Sequence, residues 1–193
     1  MKKLISVTLL SFILSSFNPH FILKSQVIPL SYNIQGVQLL ENNIEDKIIK
    51  PKDLNLFLED IGFRESSNRY HIKNKYGYLG KYQFGRGTLR GLGYNISSKH
   101  FLNNPKLQEE AMLKLLKHNR TLLQKYINKY EYKIVRGIFI TESGILAAAH
   151  LGGAGNVKKW FRGKKFKDGF GTSLSSYMNK FSGYDLKYLE WKN

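Results

Sequence analysis

A run of apolar residues at helical spacing opens at Asn104-Pro105 and continues through Leu107, Ala111, Met112, Leu115, Leu116, Leu122, Leu123 and Tyr126. Asn104 can cap such a helix and Pro105 suits its first turn, where the missing N–H has no partner to lose. The apolar side of so long an element must be buried, which commits the chain to packing other helices around it. Two further runs supply them. Leu54, Phe57, Leu58 and Ile61 follow Pro51-Lys52-Asp53 at helical spacing, and Thr141 can cap a helix through Ile145, Leu146 and Ala149 that ends at Gly152-Gly153. Ala147-Ala148-Ala149 would admit a close neighbour, and a last helix is expected near residues 173–181, before Gly183. Between residues 68 and 95, six glycines alternate with Tyr70, Tyr76, Tyr78, Tyr82, Phe84 and Tyr94 without a sustained period. That stretch reads as loops and turns, with room for a small hairpin. There is no βαβ rhythm and no repeat, so the expected class is mainly α.

At 193 residues one domain and one active site are expected, preceded by an N-terminal extension. Lys2 and Lys3 precede an uncharged apolar run from Leu4 to Phe17, broken at Asn18-Pro19. The run is short for a bilayer span and suits a secretory signal, so residues 1–25 are expected to direct export, with retention as a membrane anchor left open. The protein would then be periplasmic or extracellular. Residues 26–50 read as an arm, with a short helix over Val37–Ile49 as one form of it, and residues 51–193 as the catalytic domain. The chain has no cysteine, which removes lipidation at cysteine, disulfides and a thiolate nucleophile. Lys and Arg number 31 against 14 Asp and Glu, a net charge of +17, and the partner is expected to be anionic. A nucleic acid, an anionic membrane surface and an acidic wall polymer all satisfy the sign.

Few residues offer chemistry. The five histidines, His20, His71, His100, His118 and His150, show no paired ligand spacing, so neither a metal nor a cofactor is expected. Ser143 has no nucleophile elbow. Gly85-x-Gly87 lacks the strand and helix of a nucleotide fingerprint, and Gly152-Gly153-Ala154-Gly155-Asn156 reads as a helix end sooner than an anion site. Glu65 differs from these. It extends the stripe of Leu54, Phe57, Leu58 and Ile61 by one helical step, while Glu59 and Asp60 are rotated away and expected to be solvated. A carboxyl group forced onto an apolar face holds its proton more tightly than one in water, as a general acid requires. The competing reading is a helix-end acid paired with Arg64, Arg69 or another cation.

Glu65-Ser66 is followed by Gly80-Lys81-Tyr82-Gln83 and later by Ala149-His150-Leu151-Gly152-Gly153. In order and spacing this resembles the soluble lytic transglycosylase and goose-type lysozyme group, whose pattern is Glu-Ser, then Gly-Leu-Met-Gln, then Ala-Tyr-Asn-Ala-Gly. The resemblance spans roughly residues 54–161 and implies a lysozyme-like fold with a glycine-rich loop or hairpin lining a groove. Residue by residue it implies that Glu65 is the catalytic acid/base and that Ser66 lies near the reacting sugar. It places Gly80 and Gln83 in the groove wall and makes His150 face the ligand. The chain departs from the pattern at Lys81-Tyr82, at His150 in place of Tyr and at Leu151-Gly152. Tyr76, Tyr78, Tyr82 and Phe84 are candidates to stack on sugar faces, with local core as the alternative.

The resemblance implies cleavage of the β-1,4 bond between N-acetylmuramic acid and N-acetylglucosamine in peptidoglycan. Glu65 protonates the leaving oxygen and then acts as base. In the transglycosylase outcome the muramic acid's own hydroxyl is the acceptor, and no second carboxylate is needed. A hydrolytic lysozyme would use one, for which Glu142 and Asp168 are the candidates; Glu142-Ser143-Gly144 itself lacks the Gly-x-x-Gln loop downstream. A non-catalytic glycan-binding protein on the same scaffold is the other alternative, and nucleic acid is disfavoured as the partner.

Overall fold

The computed structural model describes residues 52–187; the expected signal segment 1–25 and arm 26–50 lie outside them. The described part is mainly helical. Helix α1 spans Leu54–Ser66, and Asp53 caps it by accepting the Leu56 N–H at 2.9 Å. Two short helices follow, α2 (Arg86–Gly91) and α3 (Ser98–Leu102). The long helix α4 runs over Pro105–Tyr130, with the Asn104 side chain accepting from the Leu107 N–H at 3.0 Å. Strands β1 (Ile134–Val135) and β2 (Ile138–Phe139) pair antiparallel, Ile134 opposite Phe139. Helix α5 spans Glu142–Phe161 behind its Thr141 cap, and α6 spans Leu174–Lys180 behind Ser173.

The starts at Asp53, Asn104, Thr141 and Ser173 all lie where the polar caps precede apolar spacing. The expected end of α5 is partly corrected. Gly153 takes φ +79°, ψ 152° and breaks the helix, but helical turns resume beyond it to Phe161, and Asn156 Nδ2 donates to the Gly152 carbonyl at 2.9 Å across the break. The β1–β2 hairpin and the helices α2 and α3 were not foreseen.

Residues 143–149 of α5 are buried without interruption, so this helix is surrounded rather than amphipathic. Phe57 and Ile61 of α1, Met112, Leu116 and Leu123 of α4, and Leu174, Met178 and Phe181 at α6 are buried in the same core. A close approach is made at Gly144, where an added Cβ would stand 2.6 Å from the Met178 carbonyl oxygen. Ser143 is fully buried, accepts the Tyr184 N–H at 3.2 Å, and offers no exposed nucleophile. Glu59 is exposed as expected, but Asp60 is half-buried and accepts from the Tyr184 hydroxyl at 2.5 Å, which corrects its reading as a solvated acid. Among the described residues no helix is long and apolar enough to cross a membrane, and no three His, Asp or Glu side chains cluster as metal ligands.

Candidate functional site

The apolar stripe of α1 buries Phe57, Leu58 and Ile61, and the same face carries Glu65 in the last turn. Ser67 then adopts a left-handed conformation, φ 56°, and closes the helix by donating to the Gly62 and Phe63 carbonyls. Glu65 is therefore held at a fixed helix end, with its side chain 18% exposed. Its Oε1 accepts a hydrogen bond from the Tyr177 hydroxyl of α6. His150 of α5 places Nε2 4.0 Å from the same oxygen.

Both neighbours are uncharged near neutral pH. Burial, and after it the nearby Glu65 carboxylate, push the Tyr177 phenol far above its ordinary value, so it remains a donor. Burial likewise lowers the His150 pKa below 6.5, against the opposing pull of Glu65 and the Tyr82 backbone. Neither Arg64 nor Arg69 forms the expected competing pair. Among the described residues His150 is the one basic group within 4.0 Å of the Glu65 carboxylate, and Arg69 instead donates Nε to the Ser66 carbonyl at 2.8 Å.

The Gly80–Gln83 turn meets His150 through the Tyr82 backbone. Leu79 and Phe84 exchange backbone hydrogen bonds of 2.9 and 2.8 Å, enclosing a tight loop in which the Gln83 N–H donates to Gly80 O at 3.1 Å and Gln83 Nε2 to the same oxygen at 2.9 Å. Gly80 is required twice over: its φ is +72°, and an added Cβ would fall 2.0 Å from Gln108 Oε1. Gln108, fully buried on α4, accepts the Lys81 N–H at 2.9 Å and donates to the Tyr70 and Phe101 carbonyls. One amide thus fastens the loop to the long helix.

Three candidate contact residues are corrected by their burial. Ser66 is 5% exposed and its hydroxyl donates to the Lys81 carbonyl at 2.8 Å while accepting the Arg69 N–H at 2.9 Å, so it joins α1 to the loop instead of facing a sugar. Tyr82 and Phe84 are 0% and 2% exposed and meet each other edge to face in the core, which leaves neither ring free to stack on a ligand. Tyr76 and Tyr78 remain exposed. His150 stands 4.0 Å from Glu65 with its side chain 6% exposed, while Gly80 is buried and Gln83 half-buried within their own turn. His150 is also in edge contact with Phe84, at 6.1 Å between ring centroids.

Glu142 is not beside Glu65. It lies two turns before His150 along α5, roughly 12 Å of helix, and accepts from Arg120 Nε. Asp168 lies on the Tyr177 side, close enough to act on that phenol electrostatically. Its Oδ1 accepts the N–H groups of Phe170 and Thr172 at 2.9 and 2.7 Å.

Sequence reasoning missed two features. Tyr177 falls on the apolar face of α6 with Leu174 and Met178 and looks like core; its hydroxyl reaches a partner 112 positions away. The second is a polar cluster behind the loop, where Glu109 of α4 accepts from Tyr70 at 2.6 Å, Lys81 Nζ at 2.9 Å and Tyr82 at 2.5 Å. This cluster accounts for Lys81-Tyr82 at the two middle positions of the loop: the polar ends of both side chains are satisfied by one carboxylate. A search of family models, curated proteins and solved structures finds none that matches the chain.

Proposed function

We propose that the protein cleaves peptidoglycan glycan strands as a lytic transglycosylase, with Glu65 as general acid and then base. The observation that carries this reading is the environment of Glu65: a half-buried carboxyl group fixed at a helix end, oriented by the Tyr177 hydroxyl and faced by a neutral imidazole. A carboxyl group held in place and not committed to a cation is free to exchange a proton with a ligand.

Glu65 in its acid form donates its proton to the glycosidic oxygen as the bond to the muramic acid C1 breaks and positive charge spreads over that ring. The carboxylate so formed then takes the proton of the same residue's own hydroxyl as that oxygen closes on C1. Glu65 ends in the acid form, and the product is an anhydro sugar, one water lighter than a hydrolytic end. Tyr177 positions the accepting oxygen, and Gly80 and Gln83 form the adjoining wall. The commitment of Glu142 to Arg120 favours this outcome over hydrolysis, since it withdraws one of the two candidate second carboxylates.

The lysozyme-like fold and export through residues 1–25 belong to the same proposal. The excess of Lys and Arg suits an acidic wall polymer as partner. Mass spectrometry of muropeptides released from purified peptidoglycan tests the reading. Products lighter by one water, absent with Glu65→Gln, are expected. Hydrated reducing ends would make the enzyme a lysozyme and direct attention to Asp168. Retained binding without any Glu65-dependent product would make the protein a glycan-binding module.

A further inference from the structure

Outside the surroundings of Glu65 the surface holds a hollow of about 380 Å³, lined by Lys73, Tyr76 and Tyr78 of the 73–79 hairpin together with Arg86 and Ser98 at the starts of α2 and α3. We propose that this hollow is a subsite for a sugar ring that carries a carboxylate. The inference rests on the peptidoglycan reading above and specifies which feature of the strand is recognised.

Each wall is held in place by something other than a ligand. Tyr76 is 55% exposed and its ring is braced edge-on by Phe170, with centroids 5.1 Å apart. Phe170 belongs to the turn organised by Asp168, whose charge also acts on the Tyr177 phenol. Tyr78 lies against Gly85, where an added Cβ would stand 3.3 Å from the ring; a larger residue there would push the tyrosine out. The Asn74 side chain accepts the Tyr76 and Tyr78 N–H groups at 2.9 and 3.0 Å and sets the hairpin that carries both rings. Arg86 Nη1 donates to Ser98 Oγ at 2.9 Å.

The charges point to the ligand. The hollow is lined by two cations and no acid, and among the described residues neither Lys73 nor Arg86 has a carboxylate within 4.0 Å. Two fixed aromatic rings beside unneutralised cations suit a sugar face joined to a negative group. In peptidoglycan that group is a carboxylate of the peptide stem or, on muramic acid whose stem has been removed, the lactyl carboxylate. The Leu79–Phe84 pairing continues the hairpin directly into the Gly80–Gln83 turn.

The test uses the full chain carrying Glu65→Gln, so that strands are bound without being cut, and measures affinity for three probes. These are peptide-free glycan strands, strands bearing their stems, and the neutral N-acetylglucosamine hexamer. Adding Lys73→Gln or Arg86→Gln is expected to weaken binding of the carboxylated strands about three- to tenfold, the range for exposed charge-assisted contacts, and to leave the neutral hexamer unchanged. Loss on peptide-free strands alone assigns the lactyl carboxylate, which stem-bearing strands hold as an amide; loss on stem-bearing strands alone assigns the peptide's, and loss on both assigns a site that takes either. Equal loss for hexamer and strands, no loss for any probe, or no binding by the parent protein would overturn the subsite. Failure of the catalytic reading is seen separately, as wild-type protein that binds strands yet releases no Glu65-dependent product.

Discussion

Glu65 and Glu109 are two half-buried carboxylates, and each accepts a hydrogen bond from a tyrosine. They differ in what else they meet. Glu109 accepts from two tyrosines and from Lys81, a cation 2.9 Å away and itself largely buried. Burial alone would raise the Glu109 pKa, but the bonds from Tyr70, Tyr82 and Lys81, together with the lysine charge, outweigh it and hold the group below its ordinary 4.5. Glu65 has one tyrosine and a histidine kept neutral by burial. A carboxylate saturated by donors and locked to a cation is a fastening, whereas one oriented by a single phenol can still move a proton. Chemistry is thereby assigned to one acid and loop anchoring to the other.

The largest expected effect falls on Glu65. Replacing it by Gln should lower cleavage by about 10²- to 10⁴-fold, the usual contribution of a general acid–base group, with little change in melting temperature, since one phenol hydrogen bond can still be accepted by the amide. Glu109→Gln should behave in the opposite way. It leaves the Lys81 ammonium without its counter-charge and should cost about 2 kcal/mol in a denaturant titration, while cleavage per folded molecule stays near wild type. Third in size is Tyr177→Phe. Loss of the hydroxyl frees the Glu65 carboxyl group to rotate and should lower cleavage about tenfold at a stability cost of about 1 kcal/mol.

The smallest effect is in the pH dependence of stability, and it separates the two clusters by window. Glu109 releases its proton more readily folded than unfolded, so its contribution is present above about pH 4.5 and is lost as the pH falls below that value. His150 resists protonation when folded, so the folded state loses ground as pH drops below the ordinary 6.5, where the unfolded chain takes up the proton. His150→Gln should flatten stability in the upper window alone, and Glu109→Gln in the lower alone; denaturant titrations across pH 3–8 read both.

How much of this was legible in the sequence depended on the range of each interaction. Asp53, Asn104, Thr141 and Ser173 cap helices through N–H groups three residues on, and such contacts leave a local signature. Glu65 could be placed on the buried face of α1 because helical geometry carries the stripe of Phe57 and Ile61 forward to it. Gly80 marked its turn because its positive φ and the Gln108 side chain both exclude a Cβ. The partners of these residues left no such trace. Tyr177, Asp60 with Tyr184, and Glu109 with Lys81 are joined across distant parts of the chain, and their residue types read equally well as core or solvated surface. Tyr82 and Phe84 misled for the same reason: interleaving with glycine suggested an open loop, whereas Phe101 of α3 and His150 of α5 meet the Phe84 ring and α4 supplies a carboxylate for the Tyr82 hydroxyl. The β1–β2 hairpin has only two residues per strand, too few for an alternation to register.

The division of labour between the two acids is tested most directly by measuring soluble muropeptide release from purified peptidoglycan with wild-type protein, Glu65→Gln and Glu109→Gln, each rate divided by the folded fraction from its own melting curve. The account predicts release by Glu65→Gln lowered about 10²- to 10⁴-fold at an unchanged melting temperature, and near-normal release by Glu109→Gln at a lowered one. Release by Glu65→Gln at the wild-type rate, or its loss in Glu109→Gln alone, would contradict it.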